Sequence, residues 1–244
     1  MKYLVISDVH ANLEALEATL AAAQGCDRAL VLGDLVGYGA DPNAVIDRVR
    51  ALRDATFIRG NHDKVGAGLE DVKGFNHLAR QAIAWTAAQL TPGNREWLAA
   101  LPQGPVVAAT GVEICHGAPF DEDAYVFDDL DAVRALRTAR APLCLFGHTH
   151  VPAVFRFDTE LDLLGPPRGS HFAMTLDPDA RYLVNCGAVG QPRDGNPHAA
   201  YGVLDTDART LVIERVSYDV QGAQAKIVAA GLPDVLAQRL ALGR

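Results

Sequence analysis

The chain has 244 residues, with 22 Lys and Arg against 30 Asp and Glu, a formal charge of −8 and a pI near 5.4. That length buries an ample core without disulfides or structural metals, and 49% apolar with 21% charged residues is globular composition rather than disorder. The acidic balance excludes a general nucleic-acid or membrane-surface binder, since both need a positive footprint.

No run of about 18 or more apolar residues is present to span a bilayer. Leu4-Val5-Ile6, met soon after by Asp8, is too short for the core of a secretory signal. Cys26, Cys115, Cys144 and Cys186 form no CxxC pair and read as reduced thiols. The expectation is a cytoplasmic protein, mature from its first residue.

Along the chain, Lys2–Ser7 reads as a strand, Asn12–Ala23 as an amphipathic helix and Ala29–Gly33 as a second strand. Pro42–Arg53 is a second helix and Ala55–Ile58 a third strand; this alternation with short links predicts βαβ units and a parallel sheet. Residues 64–104 change character. Asn76–Leu90 and Glu96–Leu101 read as helices broken by Thr91-Pro92-Gly93, a helical insertion beside the sheet. Strands resume at Pro105–Ala109 and Val112–Cys115, followed by a helix at Leu130–Ala139 and a strand at Leu143–Phe146. Val151–Phe157, Arg181–Asn185, Ala200–Leu204 and Leu211–Val216 are further strands, and Gly165–Pro178, rich in Pro and Gly, is a loop or hairpin tip. Val220–Ala230 and Pro233–Leu242 are closing helices within residues 219–244. The expectation is one α/β domain over residues 1–244, with a mixed sheet pair and helices outside.

The informative pattern lies at the strand ends. They carry Ser7-Asp8-Val9-His10, Gly33-Asp34, Gly60-Asn61-His62-Asp63, Cys115-His116-Gly117 and Gly147-His148-Thr149-His150. In open α/β sheets, ligands sit beyond the carboxyl ends of the strands. Taken singly, each fragment has an ordinary explanation: Asp-x-His a turn, Gly-Asp a helix cap, His116 a satisfied core histidine. Jointly they do not, because five of the eight histidines fall in these strand ends. His148 and His150, at i and i+2 in extended backbone, would point to one side.

Asp8, His10, Asp34, Asn61, His116, His148 and His150 are too many ligands for one ion and suit two. Imidazole and carboxylate donors without thiolate favour Mn, Fe, Zn, Ni or Co, with manganese the first choice. A carboxylate with two oxygens is the natural bridge, and Asp34 is the candidate. A pair of divalent ions can activate water and clamp the oxygens of an in-line displacement.

These five blocks, in this order, resemble the calcineurin-like metallophosphoesterases, nearest to their small bacterial and archaeal phosphodiesterase branch. The resemblance implies a four-layer αββα sandwich of two mixed sheets with a dinuclear centre between them. It implies that Asp8, His10, Asp34 and His150 hold the first ion, and that Asp34, Asn61, His116 and His148 hold the second. His62, oriented by Asp63, would meet the leaving group as general acid or stabilise phosphoryl charge.

The stretch Asn185–Arg193 resembles a substrate-side loop that often reads Asn-Pro-Gly-Ser; Cys186 and Ala188 replace the Pro and Ser. Arg193 is either a phosphate clamp or a structural ion-pair partner, and His198 is a candidate lining residue. Arg59 is a weaker candidate for the pocket. His77 reads as packing or capping, His171 as solvated, Tyr38 as a turn, and Trp85 and Trp97 as anchors of the insertion. The leading expectation is hydrolysis of a small phosphodiester, or phosphomonoester, with nucleotides among the candidates. A protein phosphatase and a non-catalytic scaffold on the same fold are the alternatives.

Overall fold

The computed structural model describes residues 1–163 and 169–244. One sheet contains β1 (Lys2–Ile6), β2 (Arg28–Val31), β3 (Ala55–Phe57), β9 (His171–Thr175), β11 (Ala199–Asp205) and β12 (Thr210–Val216), in the order β3-β2-β1-β11-β12-β9. The other contains β4 (Val106–Ala109), β5 (Val112–Ile114), β6 (Leu143–Phe146), β7 (Ala153–Phe157), β8 (Leu161–Leu163) and β10 (Arg181–Asn185), in the order β4-β5-β6-β10-β7-β8. In the first sheet β1, β2 and β3 run parallel, and β11 pairs antiparallel with β1, joining the two ends of the chain. In the second, β5, β6 and β10 run parallel.

Strand periodicity sorts the core into layers. Tyr3 and Val5 of β1, and Leu30 of β2, face Ile114, Leu143, Leu145 and Val184 of the other sheet. The alternate residues Leu4, Ile6, Ala29 and Val31 face outward, against Leu16 of α1 (Leu13–Ala22), Val45, Ile46 and Val49 of α2 (Pro42–Arg50), Val65 of α3 (Asn61–Ala67) and Leu98 of α5 (Pro92–Ala99). On the far side of the second sheet, Cys144 and Phe146 pack on Ala132, Ala135 and Leu136 of α6 (Asp129–Thr138). The expected αββα layering is present. The remaining helices, α4 (His77–Gln89), α7 (Val220–Ala229) and α8 (Asp234–Leu242), share a further cluster around Ala82, Ile227 and Leu236. Among the described residues, no helix is long and apolar enough to cross a membrane.

Several boundaries differ from the sequence expectation, each for a local reason. Thr91-Pro92-Gly93 separates two helices as expected, but the second starts at Pro92 rather than Glu96: the Thr91 hydroxyl caps the Asn94 amide, and Pro92 sits in the first turn, where its missing N–H costs nothing. Gly60-Asn61-His62-Asp63 opens α3 instead of forming a free turn. Within the expected loop Gly165–Pro178, His171–Thr175 is the edge strand beside β12, while residues 165–168 lie outside the described residues. Its exposure alternates residue by residue, which the surrounding prolines and glycines conceal. Trp97 packs edge-to-face on Phe57 at 5.4 Å and anchors the insertion as expected, whereas His77 stands exposed at the start of α4.

Leu145 is fully buried between the sheets. Leu145→Ala is expected to cost roughly 2–5 kcal/mol in urea unfolding; a loss under about 1 kcal/mol would be incompatible with a packed inter-sheet core.

Candidate metal centre

The carboxyl ends of β1, β2, β3, β5, β6 and β10 meet at one edge of the sandwich, and the five sequence blocks meet there with them. Two groups of buried side chains have ligand atoms within 4.8 Å of one another: Asp8, His10, Asp34 and His150, and Asp34, His116 and His148. Asp34 belongs to both. Its Oδ2 lies 3.5 Å from Nε2 of His10 and 3.4 Å from Nε2 of His116, while Oδ1 accepts the His62 amide at 2.8 Å. Asn61 joins the second group, its Oδ1 being 3.1 Å from Nε2 of His116.

Each imidazole is aimed by its far nitrogen. Nδ1 of His10 donates to the Val36 carbonyl at 3.0 Å, Nδ1 of His116 to Leu32 at 2.7 Å and Nδ1 of His150 to Gln191 at 2.6 Å. Because a carbonyl only accepts, those protons are fixed on Nδ1 and the Nε2 lone pairs face inward. His148 is reversed: Nε2 donates to the Asp123 carbonyl at 3.1 Å, leaving Nδ1 for the cluster.

The donor set fits a cation. Nε2 of His10 and Nε2 of His150 are 3.1 Å apart with both lone pairs turned toward each other. Nε2 of His150 is also 3.3 Å from Asp8 Oδ1. Nitrogen and oxygen acceptors face one another without a proton to share, an arrangement that a divalent ion resolves.

Burial pulls the His10 and His150 imidazoles well below their usual range and holds His148 at about 3, so these rings are neutral and their lone pairs are free to take a cation. Burial raises Asp8 to about 6. Against its own burial, His116 is raised to about 10 by the Asp34 carboxylate, so without a cation its Nε2 holds a proton that a bound cation would displace.

The backbone is bent to make this possible. Among the described residues nine non-glycine residues have positive φ, and seven of them, Asp8, His10, Ala11, Asp34, Tyr38, His148 and His150, line this edge. His148 (φ 67°) and His150 (φ 60°) are therefore not in extended backbone, and the two rings do not point to one side as the spacing predicts. They divide between the two ligand groups. Gly60 and Gly147 make the close approach possible: a Cβ at Gly60 would lie 2.2 Å from Asp34 Oδ1, and one at Gly147 1.9 Å from Ser7 Oγ.

His62 is buried over the cluster, with its ring 4.5 Å from that of Tyr38, 4.6 Å from Phe75 and 4.9 Å from His10. Burial lowers it to about 4, and its Nδ1 has no partner. Asp63 does not orient that ring, a correction to the expected pair. Its Oδ1 accepts the amides of Leu35 and Val36 and its Oδ2 that of Gly60, because the third residue of a helix faces back over the helix start.

Arg193 has no carboxylate partner among the described residues; the adjacent Asp194 pairs with Arg215 instead. Its guanidinium donates to Gln191 Oε1 at 3.1 Å and lies 5.8 Å from the centre of the Tyr38 ring, with a buried Nε left without a partner. Arg59 is spent on a two-pronged bond to Glu122 at 2.9 and 3.1 Å. His198 is exposed, its amide on Asn196 and its carbonyl on Arg215, with no contact to the cluster. His171 is exposed and pairs with Glu214.

Sequence reasoning missed three participants. Tyr38 is buried between His10 and His62 rather than in a free turn, a placement hinted at only by Gly37-Tyr38-Gly39. Tyr125 stacks on His148 at 4.0 Å, and the Asp123 carbonyl holds His148; no residue pattern announces either. A cleft of about 210 Å³ opens beside the cluster, lined by Asn61, His62, Lys64, Phe75, Tyr125 and His148 among others.

Comparison with known proteins agrees with this geometry. The family model of the calcineurin-like phosphoesterase superfamily domain matches residues 1–209. An uncharacterized protein of Methanocaldococcus jannaschii is 37% identical over 98% of this chain and 97% of its own. The crystal structure of a metallophosphoesterase from Sphaerobacter thermophilus superposes with a TM-score of 0.88 at 36% identity, covering 100% of this chain and 99% of that one. A hypothetical protein from Pyrococcus horikoshii shares the fold, with a TM-score of 0.80 at 18% identity over 100% and 98% of the two chains. The chain belongs to the calcineurin-like phosphoesterase superfamily, a family of metal-dependent phosphoesterases.

Asp63 joins three main-chain donors from two segments, so Asp63→Ala leaves them buried and unpaired. The expected cost is about 2–4 kcal/mol in urea unfolding; a variant as stable as the parent would show that these bonds do not hold the β2 end to α3.

Proposed function

We propose that this protein hydrolyses a small phosphodiester at a dinuclear divalent-metal centre. The observation that carries the reading is that one buried carboxylate, Asp34, belongs to two separate groups of ligand atoms. In this reading Asp8, His10, Asp34 and His150 hold one ion, and Asp34, Asn61, His116 and His148 hold the other. Nitrogen and oxygen donors without thiolate suit Mn, Fe, Zn, Ni or Co, and manganese is the ion this reading takes first. A pair of such ions, when bound, makes water acidic enough to attack phosphorus near neutral pH and draws charge from the phosphoryl oxygens.

The side chains supply the rest. His62, held by Tyr38 and Phe75 beside the cleft and kept neutral by burial, turns an N–H toward the departing oxygen and stabilises the charge that develops there. Arg193, whose charge acts on His10, His62 and His150, offers its planar fork to the phosphoryl oxygens. Asp63 takes no part in proton transfer; it fixes the helix start that places Asn61 and His62. His198, exposed and apart, has no role here.

Charge favours a diester over a monoester. Arg193 stands at the cluster rather than in the cleft; among the described residues that line the cleft, Lys64 is the one cation, and it is shared among Glu70, Glu122 and Asp123. Asp71 adds a further negative group to the lining. A dianionic monoester meets that negative rim at greater cost than a monoanionic diester, and the cleft gives the second ester arm room.

Elemental analysis of loaded protein is expected to give two divalent ions per chain. Hydrolysis of bis(4-nitrophenyl) phosphate should exceed that of 4-nitrophenyl phosphate in kcat/KM. Asp34→Asn should lose both the ions and the activity, and unimpaired turnover by exhaustively demetallated protein would overturn the reading. His62→Asn should keep both ions while kcat falls by roughly 10²–10³-fold; an unchanged kcat would remove His62 from the chemistry.

A further inference from the structure

His148 differs from the other site imidazoles in what aims it. The far nitrogens of His10, His116 and His150 rest on carbonyls of Val36, Leu32 and Gln191, on the segments that follow β2 and β10. That of His148 rests on the carbonyl of Asp123, within the connection between β5 and α6. Apart from one isolated bridge between Ala118 and Asp121, no ladder holds that connection. Ala118 and Val126 pack that connection on the second sheet, and the charged side chains around Asp123 add to what places its carbonyl.

Lys64 gathers those charges. Its Nζ lies 2.5 Å from Asp123 Oδ2 and 3.3 Å from Glu122 Oε1 on that connection, and 2.7 Å from Glu70 Oε2 on the segment after α3. The lysine is buried at 5% exposure, and Arg59 grips Glu122 from the other side. Without Lys64, three carboxylates gathered at one point would repel one another and move apart. Lys64 also stands three residues after Asn61 on α3, so it ties the loop that aims His148 to the helix that carries Asn61.

We propose that Lys64 is a positioning residue for one of the two ions: through Asp123 it sets the orientation and tautomer of His148, and so the affinity of the seat formed by Asp34, Asn61, His116 and His148. The inference rests on the dinuclear reading above. It is selective, because the groups that aim His10 and His150 make no contact with Lys64.

The test is titration of metal-free protein with Mn²⁺ by calorimetry, alongside histidine-labelled ¹⁵N NMR of the Zn²⁺-loaded form. Wild type should take up two ions, and in the NMR His148 should be the one ligand histidine protonated on Nε2. In Lys64→Met one ion should bind as in wild type while the other weakens by about 10–100-fold. The Nε2–H signal of His148 should also be lost, with the three Nδ1–H signals retained. Lys64→Arg should restore most of the affinity. Asp123→Ala, which alters only a half-exposed carboxylate, should shift the same ion in the same direction and decides the matter if Lys64→Met does not fold. Equal weakening of both ions, or of neither, in variants of a protein that binds two would overturn the role of Lys64 alone. Fewer than two ions in wild type would overturn the dinuclear reading, and this inference with it.

Discussion

The structure turns on lone pairs that face one another. At the carboxyl edge of the two sheets, nitrogen and oxygen acceptors from five chain segments converge in a buried space. Their own protons are turned outward, onto main-chain carbonyls. Such a cluster is costly to assemble, because each group sheds water and then meets another acceptor instead of a donor. A cation offsets that cost. The ligand arrangement, the neutral state of His10, His148 and His150 and the proton that Asp34 holds on His116 without a cation are consequences of one geometry.

The sandwich makes that geometry sustainable. Left-handed backbone at seven site residues costs on the order of 1–3 kcal/mol apiece, and short strands could not enforce it unaided. Behind each bent residue lies a strand packed on both faces, against the opposite sheet and against a helix layer. Asp63 and the glycines at 60 and 147 close the remaining gaps, by gathering amides and by omitting a Cβ where two loops touch. The core does not merely carry the site. It supplies the rigidity against which an unfavourable local conformation is held.

What the sequence discloses follows from which interactions have a residue identity. Alternating Leu4, Val5, Ile6 and Ala29, Leu30, Val31 announce strands packed on both faces, and Asp and His recurring at five strand ends announce the buried polar cluster found there. The helical insertion is legible from periodicity, though Pro92 reads as part of the break until Thr91 is seen to cap the turn it opens. The aiming of each imidazole is invisible, because a carbonyl is contributed by every residue alike: nothing marks Gln191 or Asp123 as different from its neighbours. The division of His148 from His150 is hidden for a related reason, since the i, i+2 rule assumes extended backbone and fails at φ near +60°. Asp63, beside His62 in sequence, looks like its partner; helix geometry turns it toward Gly60 and Leu35 instead.

The division between strand ends and connections has a consequence for specificity. Strand ends deliver Asp8, His10, Asp34, His116, His148 and His150, a set that any phosphate ester would meet in the same way. The cleft beside them is built from other material: Glu70, Phe75 and Asn76 from the insertion, and Asp123 and Tyr125 from the connection before α6. Those segments lie outside the two sheets, so their side chains can change without disturbing the inter-sheet packing that supports the centre. Yet they are not independent of it. Tyr125 stacks on His148, the Asp123 carbonyl aims that ring, and Lys64 draws both connections toward α3. A group of charges that shapes the cleft therefore also touches the loop that aims His148, and in the reading proposed above substitutions that retune the cleft would have to keep the acids balanced around Lys64.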